Sequence, residues 1–155
     1  MITNMNIREI LKQKLGCKDE DFDRPMPVPA PWSMPFWDAA RKRKLVLKKC
    51  TCCGHIDHPP YLYCTSCSEE ECEWIEASGK ATLYAYAVNV YGVPFAFMED
   101  LPYVLALVDL PEGPRMISNI VGCDPKDLKN GMELKVVFDD VSPEITLPKW
   151  KPVSK

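Results

Sequence analysis

Cys50 and Cys53 form one C-x-x-C, and Cys64 and Cys67 form a second. Ten residues separate the pairs, and Gly54 follows the first directly. Thiolates at this spacing converge on one tetrahedral ion, with Zn–S distances of about 2.3 Å. Four protein sulfurs fill every position, so the site is closed and structural. It has no open place at which to activate water or polarise a carbonyl. Four thiolates also hold iron, as in a red electron carrier, so ligand type alone leaves the metal open between iron and the expected zinc. A ribbon this small has little apolar surface, and metal binding worth about 10–16 kcal/mol in comparable sites supplies its stability.

The other thiols and the histidines do not add a reactive set. Cys52 lies between two ligands, and a C-x-C start would force tighter geometry, so it reads as a free thiol. Cys17, Cys72 and Cys123 are scattered and read as small buried or half-exposed side chains. His55 and His58 are the only histidines. Both fall between the knuckles, where hydrogen bonding near the metal or plain surface exposure is expected rather than ligation. Nucleophilic acyl transfer needs a thiolate with a histidine base in reach. No spare cysteine is paired with a histidine outside the ribbon, and no Gly-rich nucleophile turn or phosphate loop is present. Catalysis within this chain is not expected.

One charge cluster and one apolar segment remain. Arg41, Lys42, Arg43 and Lys44, with Lys48 and Lys49, form a local excess of cations. A solvated helix end explains them, since cations favour the negative end of the macrodipole. The functional alternative is attraction of phosphates or of an acidic partner, with Arg41, Arg43 and Lys44 as contacts. Tyr91 to Met98 is too apolar for an exposed loop. It either covers a barrel mouth or marks a contact with a partner or an acyl chain.

The elements that position these groups follow from periodicity. Residues 6–15 predict a short helix with Asn6 as N-cap, Glu9 completing a capping box, Gly16 as stop, and Ile7, Ile10, Leu11 and Leu15 on one face. An acidic connector follows, and prolines 25, 27, 29 and 31 predict a stiff extended spacer. A second helix begins after an N-cap at Ser33 and runs to the basic cluster. Leu45–Leu47 is a short strand, and His55 to Tyr63 is a loop. Strands are then predicted at 79–90, 103–110, 115–121, 133–139 and 145–150. A short helix opened by Asp124-Pro125 lies between the third and fourth. Five short strands with that inserted helix match the small Greek-key OB barrel.

Composition bounds the rest. The 155 residues suit one ordinary domain with an appendage. A net charge of −3 gives no global field toward nucleic acid or anionic membrane. No apolar run reaches the roughly 18 residues of a membrane span, and the N-terminus lacks a secretory apolar core. Eight cysteines without such a signal point to reduced thiols and a cytoplasmic location.

The order of helical start, ribbon and barrel accompanies the phrases F-W-D-A-A-R-K-R-K-L, C-T-C-C-G, P-P-Y-L-Y-C-T-S-C, L-P-Y-V-L-A-L-V-D-L and N-G-M-E-L-K-V-V-F. Together they resemble the DUF35-type family of acyl-CoA-associated proteins over roughly residues 30–150. The resemblance implies a mainly β fold with N-terminal helices (1–44), a rubredoxin-like zinc ribbon (45–73) and an OB-fold domain (74–155). It implies one structural zinc, and a non-catalytic place beside a thiolase-fold acyltransferase, or sometimes an acyl-CoA hydratase. The partner would supply catalysis and share a coenzyme A thioester, in pathways such as degradation of aromatic compounds or steroids. Relatives often have C-P at the second knuckle where this chain has Cys64-Thr65, and an arginine where Tyr61 stands. A rival reading, single-stranded nucleic-acid binding, would need Trp74, Tyr84 and Tyr86 as stacking groups.

Overall fold

Between Tyr103 and Asp109 the residues from Val104 to Val108 are all apolar, and alternate residues of a strand face opposite sides of its sheet. Val104, Ala106 and Val108 accordingly point inward and are almost fully buried. The computed structural model describes residues 7–153. Two helices come first, α1 (Ile7–Leu15) and α2 (Met34–Arg41). The strands are β1 (Val46–Cys50), β2 (Ile56–Asp57), β3 (Cys72–Glu76), β4 (Lys80–Asn89), β5 (Tyr103–Asp109), β6 (Arg115–Ile120), β7 (Glu133–Asp140) and β8 (Thr146–Pro152). The first three form a small antiparallel sheet in the order β2-β1-β3. The other five close into a barrel in the order β4-β5-β6-β8-β7.

Closure comes from β4, which pairs with both β5 and β7, and from a parallel contact of β6 with β8 at Ile120 and Trp150. Trp150 is fully buried at the centre, and Leu83, Val108 and Leu134 are almost as completely enclosed. Phe36 of α2, with Leu45 and Leu47, joins the same apolar cluster. The ribbon is therefore rooted in the barrel core at one end. This is the mainly β architecture with a five-stranded OB barrel that the strand pattern predicts.

Several local expectations change. The segment between the knuckles contains β2, because Lys49 and Ile56 come into antiparallel register with their neighbours. β3 is absent from the predicted elements, since the acidic run Glu69–Glu71 before it and its own Glu73 and Glu76 mask a short strand that only pairing with β1 stabilises. Ser33 stands at the N-cap of α2 as expected, but its side chain makes no capping bond to the helix. Its hydroxyl donates to the Ala30 carbonyl and accepts from the Trp37 indole, and a 3-10 turn over Pro31–Ser33 leads into the helix. The helix stops at Arg41, so the rest of the basic run lies in its C-terminal turn. There Lys44 N–H bonds to Ala39 and Arg43 N–H to Ala40, with Arg43 in the left-handed region at φ 61°.

The N-terminal segment also departs from its pattern. No residue of α1 is buried, and Leu15 is largely exposed, while the Asn6 cap lies outside the described residues. What anchors this segment is Phe22, packed on Phe95 at a centroid distance of 5.9 Å. Arg8 pairs with Glu99, and Arg24 pairs with Asp100 and donates to the Ala96 carbonyl. The apolar link thus serves as a dock for the N-terminal segment through Phe95–Asp100, whereas Tyr91 stays exposed. Among the described residues, no helix is long and apolar enough to cross a membrane.

Candidate metal centre

Two tight loops bring four sulfurs together by the same backbone device. In the first, Cys50 N–H bonds to His55 O at 2.8 Å and Gly54 N–H to Cys50 O at 3.0 Å. In the second, Cys64 N–H bonds to Glu69 O at 2.8 Å and Ser68 N–H to Cys64 O at 3.0 Å. Gly54 and Ser68 occupy equivalent places, both left-handed, at φ 75° and 63°. Glycine adopts that conformation freely, whereas for serine it costs on the order of 1 kcal/mol.

The ligand atoms of Cys50, Cys53, Cys64 and Cys67 all lie within 4.8 Å of one another. Cys50 and Cys67 are 3.6 Å apart, as are Cys53 and Cys64. A tetrahedron with metal–sulfur distances of about 2.3 Å has edges of about 3.8 Å, so the donor set fits a tetrahedral ion. Electrostatics favour the ligating, deprotonated form at Cys50 and Cys64, whereas at Cys67 the pull of the Glu69 backbone is outweighed by hydrogen bonds from the neighbouring thiols, with burial, which push it up. Backbone N–H groups of Cys53 and then Cys52 pull the Cys50 thiol down to about 7 against the opposing effect of burial. Cys64 is lowered in the same way by Cys67 and Ser66, whose N–H lies 3.4 Å from its sulfur. A fifth thiol, Cys52 in the first loop, is exposed and outside the cluster.

A buried polar layer beneath the sulfurs was not foreseen. Lys48 belongs to the predicted cationic cluster, but it is only 8% exposed, and its ammonium donates to the carbonyls of Tyr61 and Leu62 at 2.8 Å each. Directly across the sheet sits Asp57, 6% exposed, which accepts from the backbone N–H and hydroxyl of Thr65. Those bonds brace the second knuckle at the position where relatives often carry proline. His55 lies 3.2 Å from the same hydroxyl, close to the metal site as expected. The signal available in sequence was weak: one lysine in an apolar strand and one aspartate in a loop.

His58 goes elsewhere. Its ring packs against Phe36 at 5.6 Å, Nδ1 is buried without a hydrogen bond, and burial pushes its pKa down to about 4. It lines an apolar groove of about 550 Å³ with Phe36, Trp37 and Ile117. The three candidate cations are each matched to a carboxylate. Arg41 faces Asp38 at 3.8 Å, Arg43 grips Asp140 with both terminal nitrogens, and Lys44 pairs with Glu76 at 2.7 Å. The Arg43 bond, followed by that from Thr146, holds the Asp140 carboxyl at about 2. The aromatic groups considered for stacking are dispersed. Trp74 is half-buried in the ribbon sheet, the Tyr86 hydroxyl donates to Leu128 O, and Arg115 covers the Tyr84 ring at 3.3 Å.

Profile matches follow the same two bodies. Residues 37–73 match the ChsH2 rubredoxin-like zinc ribbon domain, and residues 74–139 match the ChsH2 C-terminal OB-fold domain. A DUF35 domain-containing scaffold protein of Methanocaldococcus jannaschii is 38% identical over 95 residues, covering 61% of this chain and 67% of that protein. The chain belongs to the DUF35 family. A solved Ltp2-ChsH2(DUF35) aldolase chain superposes with a TM-score of 0.74 at 34% identity, covering 82% of this chain and 98% of that one. The benzoylsuccinyl-CoA thiolase subunit BbsA of Thauera aromatica is 35% identical over 74 residues, 48% of this chain and 49% of BbsA. A probable enoyl-CoA hydratase alpha subunit of Thermomonospora curvata is 37% identical over 118 residues, 76% of this chain. The chain spans only 36% of that relative's length.

Proposed function

We propose that this chain is the non-catalytic, zinc-holding subunit of a thiolase-type acyl-CoA acyltransferase complex. Cys50, Cys53, Cys64 and Cys67 hold one structural zinc that fixes the ribbon, and the ribbon and barrel pack on a thiolase-fold partner to shape its acyl-CoA site. The observation that carries this reading is a donor set that four thiolates complete, in a relative of a protein named as a thiolase subunit. Neither histidine hydrogen-bonds a cysteine among the described residues, which supports assigning the nucleophile and base to the partner. Within this reading residues 1–44 are an N-terminal appendage, 45–73 the ribbon and 74–155 the barrel domain. The complex is cytoplasmic and works in acyl-CoA degradation, for example of aromatic compounds or steroids.

Arg41, Arg43 and Lys44 are proposed as the contact for a coenzyme A phosphate or an acidic partner surface, which would exchange with Asp38, Asp140 and Glu76. A second reading, a subunit of an acyl-CoA hydratase, draws on the Thermomonospora curvata relative. Co-expression with a thiolase-fold subunit encoded nearby tests the main reading. Co-elution as one complex, with thiolase turnover that depends on this chain, is expected. Separate elution with a fully active lone thiolase, or thioester turnover by the isolated chain, overturns it.

A further inference from the structure

Cys72 is not one of the four sulfurs, yet the register of the ribbon sheet sets it directly opposite Cys50. The hydrogen-bond pattern defines the kind of pair. Ala77 N–H bonds to Leu45 O, and Thr51 N–H bonds to Glu71 O. Hydrogen-bonded and non-hydrogen-bonded pairs alternate along an antiparallel ladder, so the pair at 50 and 72, one step inside 51 and 71, is non-hydrogen-bonded. In such pairs the Cα atoms are about 4.5 Å apart and the side chains share a face at their closest approach. Disulfides span Cα separations of about 4.4–6.8 Å, so this backbone accepts a Cys50–Cys72 bond without moving the strands. Cys50 is buried, whereas Cys72 is half-exposed and is the more accessible of the two.

We propose that Cys72 is a reserve thiol that forms a disulfide with Cys50 under hydrogen peroxide and expels the metal. The inference rests on the reading of the four cysteines as zinc ligands. The Cys72 thiolate attacks one peroxide oxygen, the O–O bond breaks, and hydroxide leaves behind a sulfenic acid. Cys50 then gives up its bond to zinc and attacks that sulfur. The S–S bond forms, the S–O bond breaks, and a second hydroxide leaves. The two sulfurs lose two electrons, which peroxide gains. Both hydroxides end as water, one proton coming from the Cys72 thiol and one from solvent. Only Cys53, Cys64 and Cys67 remain for the ion, and the ribbon loses its clamp.

The test uses the full zinc-loaded chain treated with hydrogen peroxide, with a chromogenic chelator reading zinc release and peptide mass spectrometry mapping disulfides. Release of one zinc per chain with a Cys50–Cys72 disulfide, both reversed by dithiothreitol, is expected. Cys72→Ser should slow release about tenfold or more, whereas Cys52→Ser should leave it unchanged. Release from Cys72→Ser at the unsubstituted rate overturns the inference. A first disulfide joining Cys50 to Cys67 or Cys53 to Cys64 does so too, and the map of the unsubstituted chain decides alone should Cys72→Ser fail to load zinc. Untreated protein without zinc would instead sink the underlying metal reading.

Discussion

The barrel and the ribbon enclose different matter. Ala81, Leu83, Val104, Ala106, Val108, Leu134 and Trp150 fill the barrel, and burial of such surface is worth about 25 cal/mol per Å². Beyond Leu47, the buried residues of the ribbon are Lys48, Cys50, Asp57 and Cys64. Groups of this kind stabilise only when each finds a partner, and the loose ends here are two backbone carbonyls, a threonine and an ion. A closed barrel needs nothing from outside the chain, whereas the ribbon tip needs a metal. The tip is therefore the place where the molecule's stability can be switched.

The strongest way to break this contrast is to remove the metal. Chelation, or Cys64→Ala, should cost the ribbon most of the roughly 10–16 kcal/mol of metal binding. Hydrogen exchange should then show amides around Cys50 and Cys64 losing protection while β5 and β8 keep theirs. Collapse of both bodies together would refute separate sources of stability. The reciprocal change, Trp150→Ala, should cost the barrel about 3–5 kcal/mol in denaturant unfolding, with bound zinc retained under native conditions.

A smaller effect comes from His58, whose pKa burial lowers from 6.5 to about 4. Between those values the unfolded chain binds the proton and the folded chain does not. Stability is therefore fully present above pH 6.5 and falls as pH drops toward 4, by about 3 kcal/mol across the window. His58→Phe should flatten that slope in unfolding curves, and an unchanged slope would assign it to other groups. The smallest effect sharpens the likeness of the two knuckles. A Cβ at Gly54 meets nothing within 4 Å, so Gly54→Ala tests the backbone alone and should cost about 1–2 kcal/mol. Ser68→Gly should be neutral or stabilise by up to about 1 kcal/mol, since glycine's freedom in the unfolded chain offsets part of the strain relieved. Thermal unfolding of the zinc-bound forms measures both.

Legibility in the sequence followed range. The cysteine quartet could be read because each knuckle closes within a few residues, and Gly54 marks its turn. The five barrel strands could be read because aromatic and β-branched content bounded by turn residues is a local signal. The inserted element at Pro125–Asp127 appears as predicted, with Asp124 accepting from Lys126 N–H, though as a single 3-10 turn. β3 was hidden because its five residues, two of them glutamates and preceded by three more, carry too short a strand signal until β1 lies beside them. The role of Lys48 within the cationic cluster was hidden for the same reason. Lys48 looks like its neighbours in sequence, yet it is a buried strut.

Sequence by itself determined the donor set, the order of ribbon and barrel, and the approximate extents of the five barrel strands. Tertiary structure alone decided which charges are free, because pairing depends on what a distant segment delivers. Arg43 meets Asp140 from 97 positions away, and Cys72 becomes a partner for Cys50 only through the register of a sheet. Ligand spacing and strand composition are properties of short stretches of chain, whereas burial and ion pairing belong to the assembled fold.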